Sequence, residues 1–294
     1  MFIEVGAFSE ETAYIANRLA AAFARKGYAS LAVTGDKLLT KFAKDKKRFY
    51  IAVVSDKFNF IRGDFLGRSL KNFCVWYVDS DSKERFSTFE TTASYITVLG
   101  GLVFSAQYED FTKLVKSNKV NSRIAWLNLA ADDNVHSYNA EFPRGNDVML
   151  VGDVKSPIFS QTLDLLKRNQ LRVVYTSSDY PDDKTVLYRT SKCAVILSGG
   201  LVIPNMYEAL SCGTPIVVGN SENIRRSFYE KEFVVNYTSL EDIPARVKDI
   251  VGLKLASEQC VTFVKSSETY NTRANQIILA ACQNEMSLDC NDLR

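Results

Sequence analysis

Residues 193–220, CAVILSGGLVIPNMYEALSCGTPIVVGN, read as strand, glycine turn, short helix, glycine stop and second strand. Cys193 to Leu197 is a short apolar run closed by Ser198-Gly199-Gly200, the pattern of a buried parallel strand. Pro204 suits a first helical turn, where its missing N–H costs nothing. Met206, Ala209 and Leu210 stand at i, i+3 and i+4 and can face one core. Gly213 can take a left-handed cap, and Pro215 forbids continuation of the helix. Ile216 to Val218 is then a second buried strand. Glu208 alone breaks the apolar logic of this unit, and a carboxylate there needs a partner. Two readings stand open: an exposed helix glutamate, or a carboxylate that holds the ribose hydroxyls of a nucleotide at the helix N-terminus.

The chain around this unit has 294 residues, enough for two domains of ordinary size. Apolar residues make up 46% and charged residues 24%, the balance of a soluble globular protein. A net charge of +2 gives no overall case for polyanion binding, so any nucleic-acid contact must come from local patches. Cysteines 74, 193, 212, 260, 282 and 290 form no C-x-x-C pair and read as thiols of a reducing compartment. His136, the sole histidine, lies in a polar loop, which leaves no zinc constellation among the side chains. Neither a signal peptide nor an apolar run of about 18 residues is evident, so the expected location is cytoplasmic.

The N-terminal half opens strand, helix, strand. FIEVGAF (2–8) is a strand, Ser9 with Thr12 forms a cap region, and Tyr14, Ile15, Leu19, Ala22 and Phe23 make one helix face that stops at Gly27. ASLAVTG (29–35) follows as the next strand, the start of a doubly wound sheet. No G-x-G-x-x-G is present, which argues against a dinucleotide site here. Lys41, Lys44, Lys46, Lys47 and Arg48 form the densest basic run, either a solvated helix end or a contact to phosphate backbone. FYIAVV (49–54) is a strand, and Arg62 and Arg68 follow it. Val75 to Val78 is another, with Asp79 and Asp81 at its C-terminal end, where open α/β sheets bind ligands. One of these aspartates can serve as a general base; two loop aspartates capping a turn are the alternative. SYITVLGGLVFS (94–105) and SRIAWLNLA (122–130) are predicted as strands, with a helix over Tyr108 to Lys116 between them.

The C-terminal half repeats the β-α-β theme. Pro143 and Gly145 mark the expected linker. Asp147 to Val151 is a strand, Gly152 to Ser156 a loop, Ile158 to Lys167 an amphipathic helix and LRVVYT (171–176) a strand. Lys155, in a glycine-started loop before a helix, is well placed to meet a phosphate, or is simply an exposed loop lysine. Ser239 with Asp242 reads as a helix start. A helical pattern runs from Ser257 to Ala281, and the tail after Glu285 reads as frayed.

Several segments, in order, resemble the T-even phage DNA β-glucosyltransferases: SEETAYI (9–15), VVSDKFNFIRG (53–63), VWYVDSDSKERF (75–86), NMYEAL (205–210), FVVNYTSLEDIPARV (233–247) and YNTRA (270–274). The E-A-L-x-C-G-T-P-I-V-V pattern from Glu208 likewise resembles the nucleotide-sugar signature of GT-B glycosyltransferases. The matches span nearly the whole chain at low identity. The resemblance implies a GT-B fold, two doubly wound Rossmann-like α/β domains facing across a cleft. It sets residues 1–144 as an acceptor domain completed by a C-terminal helix over 268–294, and 145–267 as the donor domain.

The resemblance also implies inverting transfer of a sugar from a UDP-sugar to 5-hydroxymethylcytosine, or a related hydroxylated base, in double-stranded phage DNA, by a monomer in the cytoplasm of an infected bacterium. Asp81 falls on the catalytic base and Glu11 on a carboxylate of the active site. Glu208 falls on the ribose-binding glutamate, Gly152 and Lys155 on the phosphate loop, and Asn205 and Tyr207 on donor contacts. Lys44, Lys46, Lys47, Arg48 and Arg62 are the expected DNA contacts. No tightly bound cofactor is expected; the UDP-sugar is the donor, and a divalent cation stays open as a companion to it, ligated by no protein cluster. Lys155 and Asn205 stand where the family carries arginines, and 176–192 is shorter than its counterpart, which brings a pentose such as arabinose beside glucose as the sugar. The alternatives are a GT-B enzyme acting on a small molecule, glycan or protein, and a non-enzymatic nucleotide-binding module.

Overall fold

The computed structural model describes residues 2–45, 47–55, 69–78, 83–118, 121–177, 181–229, 231–252 and 257–286. The chain forms two compact units, residues 1–128 with 270–294, and residues 129–269. Residues 129–144, expected with the first domain, therefore group with the second unit.

The first unit runs β1 (Phe2–Ala7), α1 (Glu10–Arg25), β2 (Ala29–Thr34), α2 (Gly35–Lys44), β3 (Phe49–Val54), β4 (Phe73–Tyr77), α3 (Lys83–Val98), β5 (Leu102–Ser105), α4 (Tyr108–Ser117) and β6 (Ile124–Trp126). The sheet order is β2-β1-β3-β4-β5-β6, with every pairing parallel. Parallel neighbours require crossovers, which the helices supply. β3 and β4 are buried along their whole length, as their unbroken apolar sequences require. Ser9 caps α1 in a reciprocal box with Thr12: the Thr12 N–H donates to Ser9 Oγ at 3.2 Å, and the Ser9 N–H donates to Thr12 Oγ1 at 3.1 Å.

The predicted strand over 94–105 is half wrong. Residues 94–98 close α3, and only Leu102–Ser105 is strand. The β-branched run suggested a strand, but Ala93 and Ile96 pack on the sheet from a helix, and Gly100, at φ +94°, turns the chain. A crossover between β4 and β5 is what the topology needs there.

The second unit runs β7 (Asn146–Val151), α5 (Pro157–Arg168), β8 (Val173–Val174), α6 (Pro181–Thr190), β9 (Ser191–Ile196), α7 (Pro204–Ser211), β10 (Ile216–Gly219), α8 (Glu222–Ser227), β11 (Val234–Tyr237), α9 (Ile243–Gly252) and α10 (Ser257–Ser267). Its parallel sheet has the order β11-β10-β9-β7-β8. Gly213 adopts φ +73° after α7, as its sequence position predicts. A last helix, α11 (Tyr270–Gln283), belongs to the first unit, where Arg25 Nε of α1 donates to Asn271 Oδ1 at 2.9 Å.

The helix expected from Ser257 to Ala281 is two helices. Glu268 and Thr269 interrupt it, because the Ala131 N–H donates to Glu268 O at 3.0 Å and Thr269 makes a parallel bridge to Ala131. That tertiary pairing draws the backbone out of the helical ladder. Cys74, Cys193, Cys212 and Cys260 are buried free thiols, whereas Cys282 is disulfide-bonded and departs from the all-thiol reading. None of the described helices is long and apolar enough to cross a membrane.

Candidate functional site

In each sheet the chain leaves the first strand in one direction, returns, and continues in the other. The switch points fall between β1 and β3 and between β7 and β9. Loops at the C-terminal ends of such strands diverge and leave a crevice, the usual ligand position in open α/β sheets.

In the second unit this crevice is framed by the loop 152–156 after β7 and the turn 197–203 after β9. Ser156 caps α5: its Oγ accepts from the Ile158 N–H at 3.3 Å, and Pro157 occupies the first helical turn. Pro157 carries no N–H and that of Ile158 is taken by Ser156, so the turn favours an anion through the helix dipole. Lys155 is exposed in the same loop, and its backbone N–H donates to Asp153 Oδ1 at 3.0 Å. Gly152 passes close under the β9 turn, since a Cβ there would lie 3.1 Å from Leu197 Cβ. Gly199 and Gly200 both take positive φ, +61° and +88°, which opens the turn without side chains. The buried Ser198 hydroxyl has no hydrogen-bond partner among the described residues, an orphan group of the kind that ligand sites contain.

Two adjoining hollows run along this edge. One of about 360 Å³ is bordered by Gly199, Gly200, Gly219, Asn220 and Thr238. One of about 200 Å³ is bordered by Asp153, Ser156, Phe159, Leu197 and Gly199. Tyr237 borders both, and burial raises its phenol above the usual value.

Glu208 is not an exposed helix residue: it is 5% exposed. Its Oε1 lies 3.6 Å from His136 Nε2, and its Oε2 accepts from Asn205 Nδ2 at 3.5 Å. Asn205 also donates to the Tyr188 hydroxyl at 3.2 Å. His136 Nδ1 lies 2.8 Å from Thr185 Oγ1. The structure thus joins Asn205 and Glu208 on one face of α7 and adds His136, which the sequence placed in a polar loop and which is fully buried. No local pattern marks it, because its partners come from α6 and α7.

Tyr207, expected as a donor contact, is fully buried and packs on Phe228 with ring centroids 5.1 Å apart. Its position one residue from Glu208 turns it about 100° around the helix, into the core. The thiols offer no nucleophile: burial pushes Cys193, Cys212 and Cys260 up to about 12 and Cys74 well above its usual value. Among the described residues no group of three His, Cys, Asp or Glu could hold a metal ion.

In the first unit, a cavity of about 830 Å³ lies beside the ends of β1 and β2 and is bordered by Ser9, Glu10, Thr34, Asp36, Lys37 and Lys41 among others. Ser55, directly after β3, is 2% exposed and its hydroxyl also has no partner among the described residues. Asp79, Asp81, Lys46 and Arg62 lie outside the described residues, as does the side chain of Glu11.

Two members of the basic run, Lys41 and Arg48, pair with a buried carboxylate. Glu4, fully buried in β1, receives Lys41 Nζ on Oε1 at 3.0 Å and also Arg48 Nη1 on the same oxygen. Arg48 Nε further pairs with Asp45 at 2.8 Å. Arg48 is therefore held as the counter-ion of a buried carboxylate, which would otherwise be strongly unfavourable. Lys44 and Lys47 are exposed. Arg48 directly precedes β3 and so sits at the N-terminal edge of the sheet, whereas Lys41 borders the cavity beside the ends of β1 and β2.

No protein-family model matches the sequence, and no curated protein matches it significantly. Solved structures do resemble it. A sucrose-phosphate synthase from Thermosynechococcus elongatus matches with a TM-score of 0.64 at 10% identity, over 96% of this chain and 98% of that one. Anabaena HepE, crystallised with UDP and glucose, matches with a TM-score of 0.62 at 11% identity, over 96% and 100%. AviGT4, a glycosyltransferase of avilamycin A biosynthesis, matches with a TM-score of 0.62 at 9% identity, over 95% and 97%. Two successive parallel, doubly wound units, matched over nearly their whole length by such structures, give the chain the GT-B fold.

Proposed function

We propose that the chain is a glycosyltransferase that binds a UDP-sugar at the strand-end crevice of its second unit. The observation that carries this reading is the convergence there of the α5 N-terminus, the positive-φ pair Gly199-Gly200, the orphan Ser198 hydroxyl and Lys155. The positive end of α5, with the Lys155 ammonium, faces the diphosphate and stabilises the charge that grows on it as it leaves. Glu208 takes the ribose hydroxyls. The acceptor oxygen attacks the anomeric carbon, the bond to the diphosphate breaks with its electron pair leaving on UDP, and the acceptor proton passes to a carboxylate. The resemblance assigns that last role to Asp81. HepE, whose fold this chain shares, was crystallised with UDP and glucose, which supports the donor assignment.

For the acceptor, the resemblance to the phage DNA glucosyltransferases favours a hydroxylated cytosine in DNA, which must leave the stack to react. The commitment of Lys41 and Arg48 to Glu4 favours the second reading, a small hydroxylated acceptor or glycan. One experiment separates them. Purified protein is incubated with UDP-glucose or UDP-arabinose and either hydroxymethylcytosine DNA or a panel of hydroxylated small molecules. UDP release and the mass of the product are read. A glycosylated nucleoside that is lost in Asp81→Asn and kept in Asp79→Asn supports the DNA reading. Transfer only to a small molecule replaces it, and no UDP binding or release with any acceptor overturns the glycosyltransferase reading.

A further inference from the structure

The buried cluster around Glu208 contains a group that the proposed reaction does not use. His136 is fully buried, although a polar loop carries it. Its backbone is clamped on both sides: its N–H donates to Asp132 O at 2.8 Å, and the Ser211 hydroxyl of α7 donates to its carbonyl. Its ring spans Thr185 of α6 and Glu208 of α7.

The proton pattern follows from the partners. A carboxylate only accepts, so the nitrogen facing Glu208 must carry the proton when the ring is neutral. Nε2–H then faces Glu208 Oε1 at 3.6 Å, an electrostatic contact, and the bare Nδ1 accepts from the Thr185 hydroxyl. Asn205 approaches the other carboxylate oxygen, and its amide is shared with the Tyr188 hydroxyl. Each oxygen of Glu208 thus faces one protein donor, and each keeps capacity for a second. A vicinal diol presents two hydroxyl donors to two oxygens.

We propose that His136 is a positioning residue that holds the Glu208 carboxylate square to the 2′- and 3′-hydroxyls of the donor ribose. On this account it sets the preference of the enzyme for ribonucleotide over 2′-deoxyribonucleotide sugars. The proposal rests on the reading of Glu208 as the ribose-binding group. Without the ring, the carboxylate has only the Asn205 contact at 3.5 Å to fix its torsions, and it loses the aim that distinguishes one hydroxyl from two. The chemical class so excluded is the deoxynucleoside diphosphate sugars.

The test measures calorimetric dissociation constants for UDP and dUDP on wild type and four variants, with melting curves to establish folding. One charge-assisted hydrogen bond corresponds to roughly a tenfold preference for UDP. Wild type should show that preference, and Glu208→Ala should abolish it. His136→Ala should reduce it to about twofold. His136→Gln, which keeps an N–H near the Nε2 position, should restore most of it. Thr185→Val removes the hydroxyl that orients the ring, at nearly constant volume, and should give an intermediate ratio even where His136→Ala does not fold. A merely structural histidine would weaken both ligands equally and leave the ratio intact. Folded His136→Ala and Thr185→Val proteins with the wild-type ratio overturn the role of His136 while leaving Glu208 as the ribose group. A wild type that binds UDP and dUDP equally overturns both assignments.

Discussion

Replacing Glu208 tests the donor site most directly. Its two oxygens face His136 Nε2 and Asn205 Nδ2, both donors. Glu208→Ala removes the carboxylate that faces the buried His136 ring, while Asn205 keeps the Tyr188 hydroxyl; loss of a buried polar partner costs about 1–3 kcal/mol. The variant should therefore melt a few degrees lower. If Glu208 also holds ribose, UDP affinity should fall by a further 1–3 kcal/mol or so, about 5- to 150-fold in Kd. Glu208→Gln sharpens the reading. Either orientation of the amide sets its NH₂ against a donor, unless the ring of His136 shifts its proton to Nδ1 and the Thr185 hydroxyl turns to accept from it. Only one of the two ribose bonds then survives, so the glutamine variant should fall between wild type and alanine. Isothermal titration with UDP, alongside thermal melts, measures both effects. A lower melting temperature with unchanged UDP affinity would refute the reasoning and make Glu208 only the buried partner of His136.

Three further outcomes follow from the geometry. Burial works to raise the Asp147 carboxyl, but hydrogen bonds from Lys192 at 2.7 Å and from the Arg172 N–H at 2.9 Å outweigh it and hold it at about 2, below the ordinary 3.8. A depressed carboxyl stabilises the fold above its unfolded value and loses that contribution as pH falls from about 4 towards about 2, some 2 kcal/mol before solvent screening and about 1 after it. Asp147→Asn should flatten that part of the stability profile in urea titrations. Gly213→Ala places a Cβ 2.6 Å from Tyr138 Cδ2 and 2.8 Å from Ser257 Cβ at φ +73°, and should destabilise by about 2–5 kcal/mol; a loss below about 1 would contradict the cap geometry. Arg48→Ala should lower the melting temperature because it leaves Glu4 with Lys41 alone, whereas Lys44→Glu with Lys47→Glu should leave the melting temperature nearly unchanged and lower the salt dependence of any DNA binding. A stable Arg48→Ala with weakened DNA binding would return Arg48 to the DNA face.

The sequence by itself determined the elements whose causes are local. Alternating strand and helix signals, the Ser9–Thr12 cap, the Pro204 start of α7 and its Gly213 stop each depend on residues close together in the chain, and all are present in the structure. Those local signals also made Glu208 visible as a carboxylate out of place. Tertiary structure decided what depends on distant partners. Glu4 claims Lys41 and Arg48 across separations of 37 and 44 residues, so a run that reads as a phosphate-binding stripe serves partly as a buried counter-ion. The run at 94–98 is helical because the sheet needs a crossover, and the long C-terminal helix breaks at Glu268 because Ala131 takes its backbone. His136 reaches Thr185 over 49 residues and Glu208 farther still. Hydrogen bonds and desolvation act at a few ångströms whatever the chain separation, so a polar loop in sequence becomes the inner wall of a site only when the fold closes over it.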